Sequence, residues 1–114
     1  MVGGKALVYM SYNQSVVTPE IMTDDTRQLL EAAVVALKAA GAREVYVFGS
    51  AARGALRPGS DIDLAVSGLP PHRFFHAMGQ AQMAIRRPLD LIDLDDDTPF
   101  VRLLRERGEL RLVA

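Results

Sequence analysis

The chain has 114 residues, 49% of them hydrophobic and 24% charged, with a formal net charge of -1; that is the length and composition of one packed domain and excludes a wholly disordered chain. No apolar run approaches the roughly 18 to 20 residues of a membrane helix, and the start lacks a basic segment followed by an apolar stretch, so membrane spanning and classical secretion are disfavoured. The lack of cysteine removes disulfides, thiol nucleophiles and Cys-ligated zinc and fits a reducing, cytoplasmic setting, while a pI near 6.1 offers no general attraction to nucleic acid, so direct nucleic-acid binding is not expected.

Residues 1–25 lack clear periodicity and read as an N-terminal arm of uncertain order, in which Ala6-Leu-Val-Tyr-Met10 is either a short strand or part of a loosely held tail. A single domain is expected over 26–114. It opens with an amphipathic helix over Thr26–Ala40, because Leu29, Leu30, Ala33, Val34 and Leu37 recur at helical spacing. Asp24 and Asp25 suit its positive end, Lys38 its negative end, and Gly41 its stop. Glu44-Val-Tyr-Val-Phe48 and Asp61–Val66 read as two strands joined by the Gly/Pro-rich stretch Gly54–Gly59. After the turn chemistry of Ser67–Pro71, His72–Arg86 reads as a helix with Phe75, Met78, Met83 and Ala84 forming its apolar pattern. Leu89–Leu94 is a third strand, Thr98–Arg107 a short helix with Phe100, Val101 and Leu104 inward, and Leu110–Val113 a last strand. The alternation predicts an α/β or α+β fold, a mixed sheet of about four to five strands packed by helices.

The chemistry concentrates in Phe48-Gly-Ser-Ala-Ala-Arg-Gly54 and Ser60-Asp-Ile-Asp-Leu-Ala-Val66. In an extended strand Asp61 and Asp63 share one face while Ile62, Leu64 and Val66 turn to the other. Two adjacent carboxylates repel one another unless a cation lies between them, and their hard oxygens suit Mg²⁺ or Mn²⁺; an isolated Asp-x-Asp is also the ordinary solvent face of a half-exposed strand. Gly49-Ser50, directly after a strand, lets a ligand approach the backbone and adds a hydroxyl, an arrangement suited to phosphate, although a plain strand-to-helix turn has the same sequence. Neither a P-loop nor a Gly-x-Gly-x-x-Gly dinucleotide turn is present.

Taken together, Gly49-Ser-Ala-Ala-Arg-Gly54 and Ser60-Asp-Ile-Asp-Leu64 resemble the signature of DNA polymerase β-like nucleotidyltransferases, and most nearly their minimal, single-domain branch, from about Arg27 to the C-terminus. The resemblance implies the nucleotidyltransferase fold. It implies that Gly49 and Ser50, with Ser60 beside the acids, hold a nucleoside triphosphate, that Asp61 and Asp63 bind Mg²⁺ or Mn²⁺, and that a third carboxylate arrives from a later strand. That carboxylate falls in Arg87-Pro-Leu-Asp-Leu-Ile-Asp-Leu94, where Asp90 best matches the family and Asp93 competes. Positions 90 and 93 lie on opposite faces of a strand, so only one can join Asp61 and Asp63, and periodicity does not choose between them. The implied activity is transfer of an NMP, AMP from ATP, to an acceptor, with Asp90 holding a second metal and helping to deprotonate the incoming hydroxyl. The implied acceptor is a small helical HEPN toxin, for which the chain would be the antitoxin. The alternative is a catalytically weak or inactive antitoxin that neutralises its partner by complex formation. An aminoglycoside-type transferase would need a further helical domain.

Other residues carry weaker signals. Arg53 is either a phosphate contact or a surface ion pair; Arg86 and Arg87 either reach a triphosphate or end a helix. His72 and His76 lack further ligands for a metal, the run Asp95-Asp96-Asp97 reads as caps for the following helix, and Phe74 and Phe75 read as core and interface contacts. A homodimer would cover a small sheet's edge or an apolar helix face.

Overall fold

The computed structural model describes residues 24–54 and 60–114; the Ala6–Met10 expectation lies outside them. Helix α1 spans Asp24–Ala39, so the two aspartates assigned above to the arm open the helix instead. Leu30, Ala33, Val34 and Leu37 form its buried stripe. The Ala42 N–H donates to the Leu37 carbonyl and the Gly41 N–H to that of Lys38, both at 3.0 Å, with Gly41 at φ 115°. This paired closure satisfies the helix's last carbonyls and needs a residue free of a Cβ penalty.

Strand β1 (Glu44–Phe48) leads straight into the four-residue helix α2 (Gly49–Ala52), and β2 covers Ile62–Ser67. A 3₁₀ turn (Pro71–Arg73) precedes α3 (Phe74–Ile85); β3 (Leu89–Asp93), α4 (Pro99–Arg107) and β4 (Arg111–Leu112) complete the chain. The four strands form one sheet in the order β3-β2-β1-β4. β1 runs antiparallel to β2 and β4, whereas β2 and β3 are parallel, a pairing that requires a crossover, here α3. The expected mixed α/β sheet is thus present with four strands among the described residues.

The sheet separates two apolar layers. On one face Val45, Val47, Ile62, Leu64, Val66, Leu89 and Leu91 pack with α1 and α3. On the other, Tyr46, Phe48 and Ala65 meet Leu94, Val101 and Leu104 around α4. Alternation puts odd and even positions of each strand into different layers, so a one-residue slip would exchange the two cores.

Three expectations need correction. The apolar pattern of α3 was expected at Phe75, Met83 and Ala84, but Phe75 is 77% and Met83 73% exposed, and Ala84 is exposed as well. The buried face is Ala77, Ala81 and Ile85, because residues four apart stack on one face and small side chains let α3 lie close to α1. The acidic run does not cap α4: the Thr98 hydroxyl accepts from the Val101 N–H at 3.1 Å, as an N-cap side chain does. Asp95 instead accepts from the Gly68 N–H at 2.7 Å and Asp97 pairs with Arg102 at 3.0 Å. Phe100, expected inward, is 45% exposed and meets Phe48 edge-on at 6.2 Å between ring centroids.

At the far end of β1, the Glu44 carboxylate accepts from the Tyr46 hydroxyl at 2.8 Å and the Ser67 hydroxyl at 2.9 Å. These bonds, and then Lys38 and Arg43, hold its pKa below the ordinary carboxylate value against the opposing effect of burial. A lowered folded-state pKa adds stability above the unfolded value, and that stability is lost as pH falls through the folded one. Glu44→Gln is expected to lower stability slightly at pH 7, by roughly 0.5 kcal/mol, because solvent screens a carboxylate this close to the surface. Urea titrations over a pH series should show that difference shrinking as the medium becomes more acidic than about pH 4.

Candidate active site

The site forms where the C-terminal end of β1 meets the N-terminal ends of β2 and β3. In the antiparallel ladder Phe48 lies opposite Asp63, and in the parallel ladder Asp63 lies opposite Asp90. Asp61 stands just before β2, two residues from Asp63 and on the same face. Asp61 and Asp90 are exposed, whereas Asp63 is half-buried between them. The structure thus brings Asp61, Asp63 and Asp90 together. Asp93 falls beside Val66 at the opposite end of β3, and its carboxylate accepts from the Asp95 N–H at 3.0 Å.

Electrostatics registers this grouping. Burial pushes the Asp63 carboxyl above its ordinary value, the charges of Asp90 and then Asp61 push it further, and Arg53 opposes them. Mutual repulsion of this kind is relieved by a bound cation, and carboxylate oxygens suit a hard one. Among the described residues no three His, Cys, Asp or Glu side chains converge closely enough to enclose an ion. Paired carboxylates of this kind suit an ion such as Mg²⁺, which takes one or two of them and completes its shell with phosphate oxygens and water.

Gly49 supplies the closest contact. It has φ 68°, and a Cβ built there would lie 2.2 Å from Asp63 Oδ2 and 3.1 Å from its Cγ. With its left-handed backbone and this proximity, the position favours glycine, and a side chain there would have to displace the Asp63 carboxylate. Ser50 follows on α2 and is half-buried; Arg53 is exposed just beyond the helix. Ser60 is half-buried, and its carbonyl accepts from the Arg87 guanidinium. Of the two arginines expected to end a helix or reach phosphate, Arg86 closes α3 in the left-handed conformation and Arg87 turns to Ser60. His72 and His76 are exposed, on the 3₁₀ turn and α3. A groove of about 450 Å³ beside β3 is lined by Phe74, Phe75, Ile92 and Phe100 among others, and none of the three grouped aspartates lines it. The Arg87–Ser60 contact was missed in the sequence; the dipeptide Arg87-Pro88 before a strand is its one local signal, since a residue before proline is held extended.

Residues 34–110 match the family described as Polymerase beta, Nucleotidyltransferase, and the chain belongs to that family. A toxin–antitoxin complex with AMP-PNP shares the fold at a TM-score of 0.61 and 20% identity, over 81% of this chain and 73% of that one. A protein described as a minimal nucleotidyltransferase matches at 0.57 and 26%, over 74% and 86%. The toxin–antitoxin pair MntA–HepT matches at 0.51 and 18%, over 79% and 69%. No curated protein matches the sequence. Among the described residues no helix is long and apolar enough to cross a membrane.

Two variants probe this geometry. Asp63 has a raised pKa, so the stability linked to it is complete below the unfolded value of 3.8 and is lost as pH rises through the folded one. Asp63→Asn should therefore raise Tm at pH 7, with the gain vanishing at about pH 3. Gly49→Ala should do the opposite, lowering Tm, because the new methyl group meets Asp63; thermal scans of both proteins decide the signs.

Proposed function

We propose that this chain is a metal-dependent nucleotidyltransferase that moves AMP from ATP onto a hydroxyl of a helical HEPN toxin protein in the cytoplasm, acting as the antitoxin of the pair. The observation that carries this reading is the meeting of Asp61, Asp63 and Asp90 beside Gly49-Ser50 in a member of the nucleotidyltransferase family. The toxin–antitoxin complexes among its structural neighbours, one of them with AMP-PNP, support a toxin partner and an adenine nucleotide.

Each residue has a task. Gly49 leaves room for a triphosphate against the backbone, with Ser50, Ser60 and Arg53 as its polar contacts. Asp61 and Asp63 would hold one Mg²⁺, or Mn²⁺ in its place, and Asp90 a second. When bound, the metal offsets charge on the attacking and leaving oxygens. The acceptor oxygen forms a bond to the α-phosphorus as the bond from that phosphorus to the bridging β-phosphate oxygen breaks, releasing pyrophosphate. Asp90, exposed on the edge strand, receives the hydroxyl proton, a role decided by reach before pKa.

Incubation with labelled ATP, Mg²⁺ and the partner toxin, read by intact mass, should show AMP units added to the partner. Asp61→Ala with Asp63→Ala should abolish the gain, with the double variant still folded by circular dichroism. A stable complex without any mass gain in the wild-type protein would leave an antitoxin that acts by binding alone.

A further inference from the structure

We infer that Arg87 is a positioning residue: by holding the backbone at Ser60 it sets where Asp61 stands relative to Asp63 and Asp90, an inference that rests on the nucleotidyl-transfer reading above.

Asp61 is the one grouped aspartate outside a strand, since β2 begins at Ile62. No ladder hydrogen bond therefore defines its position, and its backbone must be fixed by its neighbours. Both neighbours are tied to the same corner. On one side, the Ser60 carbonyl accepts from Arg87 Nε at 3.0 Å and from Arg87 Nη2 as well. On the other, the Ile62 N–H donates to the Pro88 carbonyl at 3.2 Å. Residues 60 and 62 are thus stitched to residues 87 and 88, two bonds running from a side chain and one to a backbone carbonyl, with Asp61 between them.

The corner that supplies both bonds is stiff. Arg86 is the one non-glycine residue with positive φ among the described residues, at 59°, and its N–H closes on the Gln82 carbonyl at 2.8 Å. Non-glycine residues hold that conformation only where their surroundings impose it. Arg87 precedes a proline, which confines it to extended backbone, and Pro88 has its own φ fixed. Two residues later the same rigid segment delivers Asp90 beside Asp63. The bracket therefore spans the site, with Asp90 on one arm and Asp61 held by the other. Arginine suits the task because its fork is planar, permanently charged and able to give two donors to one oxygen, whereas lysine offers a flexible point charge.

The test reads metal binding and backbone protection rather than turnover. Free Mn²⁺ is followed by electron paramagnetic resonance in the wild-type protein, Arg87→Ala, Arg87→Lys and the Asp61→Asn/Asp63→Asn double variant, alongside amide hydrogen exchange at Asp61 and Ile62. Arg87→Ala is expected to keep the fold, lose protection at Ile62, and raise the half-saturating Mn²⁺ concentration roughly 10- to 100-fold, the range found when groups that orient metal ligands are removed. Arg87→Lys should fall between it and the wild type. Wild-type Mn²⁺ affinity in Arg87→Ala, with binding abolished in the double aspartate variant, overturns the role of Arg87 alone. Mn²⁺ binding that the double aspartate variant leaves unchanged overturns the metal site itself, and this inference with it.

Discussion

Backbone register is the constraint on which the rest of this protein depends. Asp63 lies in a strand paired on both sides, so its position is set twice, by Phe48 across the antiparallel ladder and by Asp90 across the parallel one. Neither aspartate needs to find the other through side-chain contacts. The hydrogen bonds of the sheet place them, and those bonds are in turn held in phase by the two apolar layers. Ile62 and Leu64 are fully buried on either side of Asp63 in sequence, so shifting the acid off its face would drive both out of the layer they pack in.

This arrangement explains how like charges can be held together. Grouped carboxylates oppose folding until a cation neutralises them; burial first, and then the charges of Asp90 and Asp61, raise the Asp63 pKa. The larger apolar layer, which joins α1 and α3 to the sheet, supplies the offsetting stability away from the site. The acidic end can then remain open while the far end is sealed by Glu44, Tyr46 and Ser67. Rigidity sits behind the carboxylates rather than among them.

Much of this was legible in the residues, for identifiable reasons. β1 is found over Glu44–Phe48 as its β-branched and aromatic run predicts, and α1 follows a long apolar stripe with a glycine stop, a pattern that few other structures satisfy. The grouping of Asp61 with Asp63 follows from strand alternation alone. Alternation could not choose between Asp90 and Asp93, because that depends on how β3 aligns with β2, a non-local fact. The inward face of α3 is not legible from hydrophobicity, which points to its large apolar residues, whereas close packing on α1 selects Ala77 and Ala81. Helix α2 is too short to show a period. The Arg87–Ser60 bond joins residues 27 apart through a side chain and a backbone carbonyl, so neither partner's identity reveals the other.

Asp90 stands exposed on β3, the outermost strand of the sheet among the described residues. An outermost strand is the natural place for a second chain to add itself, and charged side chains are one of the means by which proteins discourage that addition. The carboxylate that completes the acidic group is therefore also a guard on solubility. Removing its charge would take away a deterrent to edge-to-edge association together with one member of the acidic group, and the two losses would be confounded in any assay of a concentrated sample. Asp61, which lies outside the ladder, has no such second duty.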